Sequence, residues 1–219
     1  MEKGGSSVKR KHFLVGIGVL LLCAAYPHLS WGQANRSQLL SHLQKGGHVL
    51  YFRHGEKDGD SGISSRLPAQ FSDCLNPDIL LTEAGVSAMQ SLGQQFAQLN
   101  IPVGQVISSP VCRCLESAWL SFGQATIDSS LNGVYEKDNE GNFIINEAVT
   151  EELAINLRRL LVKTPEEGSN TLLFAHSSNI LALTGLQLQQ GEAALFKPDG
   201  QGNFIYVGRV TLNEWERLE

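Results

Sequence analysis

The sequence predicts an α/β domain, a three-layer α/β/α sandwich around a mostly parallel central sheet. Two observations carry this reading. Short apolar runs recur at residues 49–52, 105–108 and 171–175, the signature of strands buried on both faces. Between them lie segments with apolar residues at helical spacing. Strands alternating with helices build a parallel sheet covered on both sides.

The elements follow in order. Residues 37–44 form a short helix closed by Gly46-Gly47, and the strand 49–52 comes next. A polar loop then runs from Glu56 to about Ile79, rich in Asp, Ser and Gly; a loop of that length in a compact domain usually serves function. Thr82 caps a helix that places Ala84, Ala88, Leu92, Phe96 and Leu99 on one face, and Pro102 ends it. After the strand 105–108, Pro110 starts a helix through Cys112, Leu115, Ala118 and Leu120. An edge strand is expected over 126–131, then a polar loop over 132–146 and an amphipathic helix over 147–162. The strand 171–175 ends in His176. Residues 193–196 and 204–211, flanking Pro198-Asp199-Gly200, read as a β-hairpin.

The first 32 residues stand apart. Lys3, Lys9, Arg10 and Lys11 precede an apolar run over 13–25, and Ser30-Trp31-Gly32 follows as a small-x-small signal. This is the layout of a secretory signal peptide. The run is shorter than the about 20 residues a membrane span needs, so an uncleaved anchor is the second choice. The expected location is periplasmic or secreted, with the domain over 33–219. Removing residues 1–32 leaves 13 basic against 21 acidic side chains, a net charge of −8. An acidic body argues against nucleic acid or an anionic membrane as partner, leaving the membrane a role only through an uncleaved leader. Cys74, Cys112 and Cys114 remain. In an exported protein one pair is expected to bridge. Cys112 and Cys114 are too close in sequence to pair well, which makes Cys74–Cys112 the preferred bridge and Cys74–Cys114 the alternative.

Three features fall at the carboxyl ends of predicted strands, where ligands bind in such sheets: Arg53-His54, Ser108-Ser109 and His176. Phosphoryl transfer needs a nucleophile, cations on the equatorial oxygens and help for the leaving group. A neutral His54 is a competent nucleophile, and neighbouring arginines keep it neutral by like-charge repulsion. Arg53 and Arg113 carry planar donor forks that match phosphate. His176 can donate to the same group. Taken singly, Arg113 would face solvent and His176 would be a core histidine; their joint order favours a shared pocket with a small phosphorylated substrate. Glu56 is read as a loop hydrogen-bond partner, His48 as structural or surface, and Arg66, Lys57 and Lys137 as solvated charges.

The chain resembles the histidine phosphatase superfamily, the phosphoglycerate mutase-like proteins. The resemblance rests on Arg53-His54-Gly55-Glu56, Leu81-Thr82-Glu83-Ala84-Gly85, Ser108-Ser109-Pro110 with Arg113, and Leu172-Leu173-Phe174-Ala175-His176. The region from Glu192 to Val210 is similar to an exported bacterial branch. The resemblance implies that His54 is phosphorylated, that Arg53, Arg113, His54 and His176 hold the phosphate, and that no cofactor or metal is required. Where many members have a glutamate two residues after a leucine, this chain has Leu131-Asn132-Gly133. Glu136 is the nearest candidate for the proton donor, with Glu147 behind it. The expected activity is a histidine-type acid phosphatase hydrolysing a phosphomonoester or phosphoamidate. A phosphate-binding domain that retains the pocket but lacks the donor is the alternative, and a phosphomutase is a third.

Overall fold

A computed structural model describes residues 36–57, 66–133 and 147–218. The leader 1–32, Glu136 and Lys137 lie outside them. The elements are α1 (Arg36–Lys45), β1 (Val49–Arg53), α2 (Glu83–Gln98), β2 (Val103–Ser108), α3 (Cys112–Phe122) and β3 (Thr126–Ile127). They continue with α4 (Glu147–Leu161), β4 (Asn170–Ala175), α5 (Ser177–Thr184), β5 (Ala193–Pro198), β6 (Phe204–Val210) and α6 (Leu212–Trp215). The strands form one sheet in the order β3-β2-β4-β1-β5-β6. β3, β2, β4 and β1 run parallel, while β5 and β6 are antiparallel to their neighbours.

Alternation along the central strands explains the three layers. Leu50 and Phe52 of β1, with Leu172 and Phe174 of β4, face a core shared with α2, α3 and Trp215 of α6. Val49 and Tyr51, with Leu173 and Ala175, face a second core shared with α4 and α5. Successive strand side chains point to opposite faces, so a run buried on both sides must be apolar throughout. Aromatic contacts tie β1 to β4 and α2 to α6. Phe52 stacks on Phe174 with centroids 4.9 Å apart, and Trp215 lies 4.8 Å from Phe96.

The chain leaves β1 towards the first face, into α2, and leaves β4 towards the second, into α5. Two neighbouring strands that part in this way open a crevice at their carboxyl ends. Arg53-His54 and His176 stand at that divergence.

Four details differ from the sequence expectation. On α2 the buried face carries Val86, Met89, Leu92 and Phe96, whereas Ala84 is exposed and Ala88 half-buried. The helix start sets this rotation: a Cβ at Gly85 would stand 2.2 Å from the Glu56 carbonyl oxygen, so Gly85 must face the β1 loop. The edge strand stops at Ile127 because the Asp128 carboxylate accepts from Ser130 N (2.9 Å) and its hydroxyl (2.6 Å), curling Ser129–Leu131 into a 3-10 turn. Helix α5 follows His176 directly, where no helix is read from its irregular apolar pattern. Helix α6 is opened by a capping box between Thr211 and Glu214, a Thr-x-x-Glu signature visible in the sequence.

The disulfide joins Cys74 to Cys112, with Cα atoms 5.0 Å apart, and leaves Cys114 free and buried. It fastens the loop before α2 to the first residue of α3. That junction is reinforced by Leu75 N–H to Pro110 O and Cys112 N–H to Leu75 O, both 2.9 Å.

Helices α2 and α3 approach so closely that a Cβ at Gly93 would lie 1.9 Å from the Ser121 carbonyl oxygen. Replacing Gly93 with Ala should force the helices apart and cost about 1–3 kcal/mol or more. Equilibrium denaturation measures this, and an unchanged midpoint would contradict the packing described.

Candidate active site

β1 and β4 pair in register, with Arg53 opposite Ala175. The pairing extends one residue further: His54 N–H donates to Ala175 O at 3.1 Å. The two strands therefore deliver His54 and His176 side by side, with ring centroids 5.7 Å apart at 60°. Both imidazoles are buried.

His54 is oriented by its own turn. Its Nδ1 lies 2.8 Å from Gly55 O. A carbonyl can only accept, so Nδ1 carries the proton, and in the neutral ring Nε2 keeps its lone pair. Burial, with Arg113, Arg53 and Lys57 nearby, pushes the imidazole down to about 3 against the opposing Gly55 bond. The ring is thus neutral across the physiological range. The turn itself is clamped. Gly55 N–H donates to Ser117 Oγ (2.9 Å), whose hydroxyl donates to Arg113 O (2.7 Å). The helix that carries Arg113 also fixes the turn after His54.

Glu56 accepts from the Thr82 hydroxyl at 2.9 Å, and its carbonyl accepts from Thr82 N–H at 3.0 Å. It is a loop anchor, as its position in the sequence suggests.

The cations are built in from different elements. Arg53 Nη1 donates to Leu188 O at 2.9 Å, which leaves the rest of its fork for an anion. Its Nε is buried without a hydrogen-bond partner among the described residues. Arg113, on the first turn of α3, is 8% exposed, against the solvent-facing default for a helical arginine. Its Nη2 donates to His176 Nδ1 at 3.3 Å. His176 is further held by Ser109 Oγ at Nε2 (2.9 Å), and its backbone carbonyl accepts from the Tyr51 hydroxyl (2.6 Å). Burial, then Arg113, His54 and Arg53, hold this imidazole well below its ordinary range.

Four of the expected residues, Arg53, His54, Arg113 and His176, are brought together. Cys74 and Cys112 brace the helix start beside them. Glu136 lies outside the described residues, and Glu147 is an exposed residue at the start of α4. Gly133 occupies the place of the missing glutamate. A Cβ there would stand 2.9 Å from His176 Cδ2, so a side chain at this position would have to displace the His176 ring.

Arg66 is not a free solvated charge; it pairs with Glu83 and, at 3.4 Å, with the fully buried Glu116. Glu116 also accepts from Leu81 N–H at 3.0 Å, holding the loop against α3. His48 is buried and structural, its Nδ1 3.0 Å from Gly46 O. Sequence reasoning missed Tyr51, Ser117 and Cys114 as site-building residues. Cys114 Sγ lies 3.5 Å from His176 Nε2, and burial pushes its thiol up to about 12. Its one signal was arithmetic, a third cysteine left over.

In the unfolded chain an imidazole takes up its proton near 6.5, whereas folded His54 does so only near 3; His48 and His176 are lowered too. Their contribution to stability is fully present above about pH 6.5 and is lost as pH falls below it, because the unfolded state then binds more protons. Denaturant titrations from about pH 8 to about pH 4 should show stability falling, and His54→Asn should flatten the fall. An equal slope in both proteins would contradict a neutral buried His54.

No family model matches the chain, and no curated protein matches it. Solved structures do. A candidate α-ribazole-5′-P phosphatase from Escherichia coli superposes with a TM-score of 0.56 at 15% identity, over 76% of this chain and 98% of that one. A phosphoserine phosphatase from Entamoeba histolytica, in complex with 3-phosphoglyceric acid, gives 0.51 at 14% identity over 75% and 96%. The protein histidine phosphatase SixA, complexed with tungstate, gives 0.50 at 14% identity over 76% and 98%. Together with the sheet order and its helical layers, these similarities establish that the chain has the fold of the histidine phosphatase superfamily.

Proposed function

We propose that the protein is a phosphatase working through a covalent phosphohistidine on His54, exported by its first 32 residues. One observation carries the reading: a neutral imidazole with a bare Nε2 sits in a pocket that also holds two arginines and a second histidine. In this mechanism Nε2 attacks phosphorus, and Arg53, Arg113 and His176 balance the charge spread over the equatorial oxygens. The leaving group departs with a proton, and water then hydrolyses phosphohistidine. Buried Arg113 and half-buried Arg53 beside neutral imidazoles make a pocket that favours an anion even though the chain is acidic overall. The signal-like leader and the disulfide support export. The small phosphorylated ligands of the fold relatives support a phosphomonoester or phosphoamidate substrate, with phosphorylated envelope sugars among the candidates.

A second reading, a phosphate-binding domain without turnover, draws on Gly133. The position that would bear an acid is instead packed against His176. Turnover of a generic aryl phosphate separates the two readings. The wild-type protein should hydrolyse it, and His54→Ala should lower kcat by at least about a thousandfold. Chelator treatment should leave the rate unchanged. Wild-type activity surviving in His54→Ala would overturn the proposed nucleophile, and strict metal dependence would overturn the arginine-only pocket.

A further inference from the structure

The segment between α5 and β5 latches onto the end of β1. Gly191 N–H is shared between Arg53 O (3.1 Å) and His54 O (3.0 Å), and Arg53 N–H donates to Glu192 O at 3.1 Å. Within this segment one peptide group stands between two charged side chains. The Leu188 carbonyl accepts from Arg53 Nη1 at 2.9 Å. The N–H of the same peptide group, that of Gln189, donates to Glu192 Oε2 at 2.7 Å. The peptide bond is trans, so its C=O and N–H point in opposite directions. Both hydrogen bonds therefore run through one peptide dipole.

Glu192 is 2% exposed, and a carboxylate is tolerated there only where donors hold it. Gln189 N–H holds one oxygen, and Arg209 Nε lies 3.4 Å from the other. A peptide whose N–H is bonded to a carboxylate is a stronger acceptor at its own oxygen. That oxygen meets a guanidinium in need of one, because burial, then Arg113, disfavour the Arg53 cation.

We propose that Glu192 is a positioning residue for Arg53: through the Leu188–Gln189 peptide it fixes the carbonyl that holds Nη1, and so aims the rest of the guanidinium fork at the phosphoryl group. The inference rests on the phosphatase reading, which gives Arg53 its anion. Without the carboxylate, Gln189 N–H loses its acceptor, the peptide is free to turn, and the guanidinium is free to rotate.

Titration with tungstate, a tetrahedral dianion, reads the consequence. Glu192→Ala should weaken binding about tenfold or more. Glu192→Asp, whose carboxylate is one methylene short, should weaken it in the same direction. Glu192→Gln, which keeps an acceptor oxygen for Gln189, should stay within about threefold of wild type. Guanidinium ¹⁵N NMR, assigned by the signal lost in Arg53→Lys, reads the cause. Rotation of Nη1 should be hindered in the wild-type protein and Glu192→Gln, and faster in Glu192→Ala and Glu192→Asp. Undiminished affinity in Glu192→Ala, or Glu192→Gln as weak as Glu192→Ala, would overturn the role of Glu192. So would weakened binding with the Arg53 signal unchanged, the result a merely structural residue gives. Freely rotating Nη1 in the wild-type protein would overturn the hold on Arg53 itself. Absence of tungstate binding by the wild-type protein would instead overturn the phosphatase reading, with the hold on Arg53 then judged by the NMR comparison.

Discussion

The structure of the pocket depends on the parallel register between β1 and β4. Arg53 stands opposite Ala175, and His54 N–H is bonded to Ala175 O. A slip of one residue would turn Leu50 and Phe52 from the first core to the second and Val49 and Tyr51 the other way. The two cores that cover the sheet thus enforce the register that sets two imidazoles side by side. The stack of Phe52 on Phe174, 4.9 Å apart, lies directly beneath this pair. Packing and site geometry are one constraint seen at two levels.

From that constraint the electrostatics follow. Both histidines lie at the mouth of the β1–β4 crevice, deep enough to be neutral, and the arginines beside them reinforce this. Arg113 owes its buried position to the start of α3, which is fastened to its surroundings from several directions. The Cys74–Cys112 bridge holds it to the preceding loop, buried Glu116 grips the same loop further along, and Ser117 reaches the turn after His54. The polar loop before α2 is thereby tied to the helix that carries Arg113. Local charge and net charge have opposite signs here, which is how an acidic chain can hold an anion.

Much of this was legible in the residues. Short, largely apolar runs mark strands covered on both faces; Arg53-His54 follows one of them and His176 another. The third cysteine forced a choice of bridge, and the poor geometry of Cys112 with Cys114 directed it to Cys74. What was not legible depended on tertiary contact. The rotation of α2 follows from the approach of Gly85 to the Glu56 carbonyl, a distance no periodicity encodes. Arg66 reads as a loop charge until Glu116, fifty residues away, comes beneath it. The polar contacts of Ser117 and Cys114 are likewise long-range, and a serine and a cysteine within a helix carry no pattern of their own. Gly133 was visible as the absence of an acid; its packing against His176 was not.

The central claim is that His54 Nε2 becomes bonded to phosphorus. Rapid quench of the protein with a labelled phosphate ester, followed by peptide mapping, tests it directly. The account predicts label on the peptide containing His54, stable to alkali and released by acid, and none in the His54→Ala protein. Turnover with no label on His54, or label that persists after its replacement, would contradict the account.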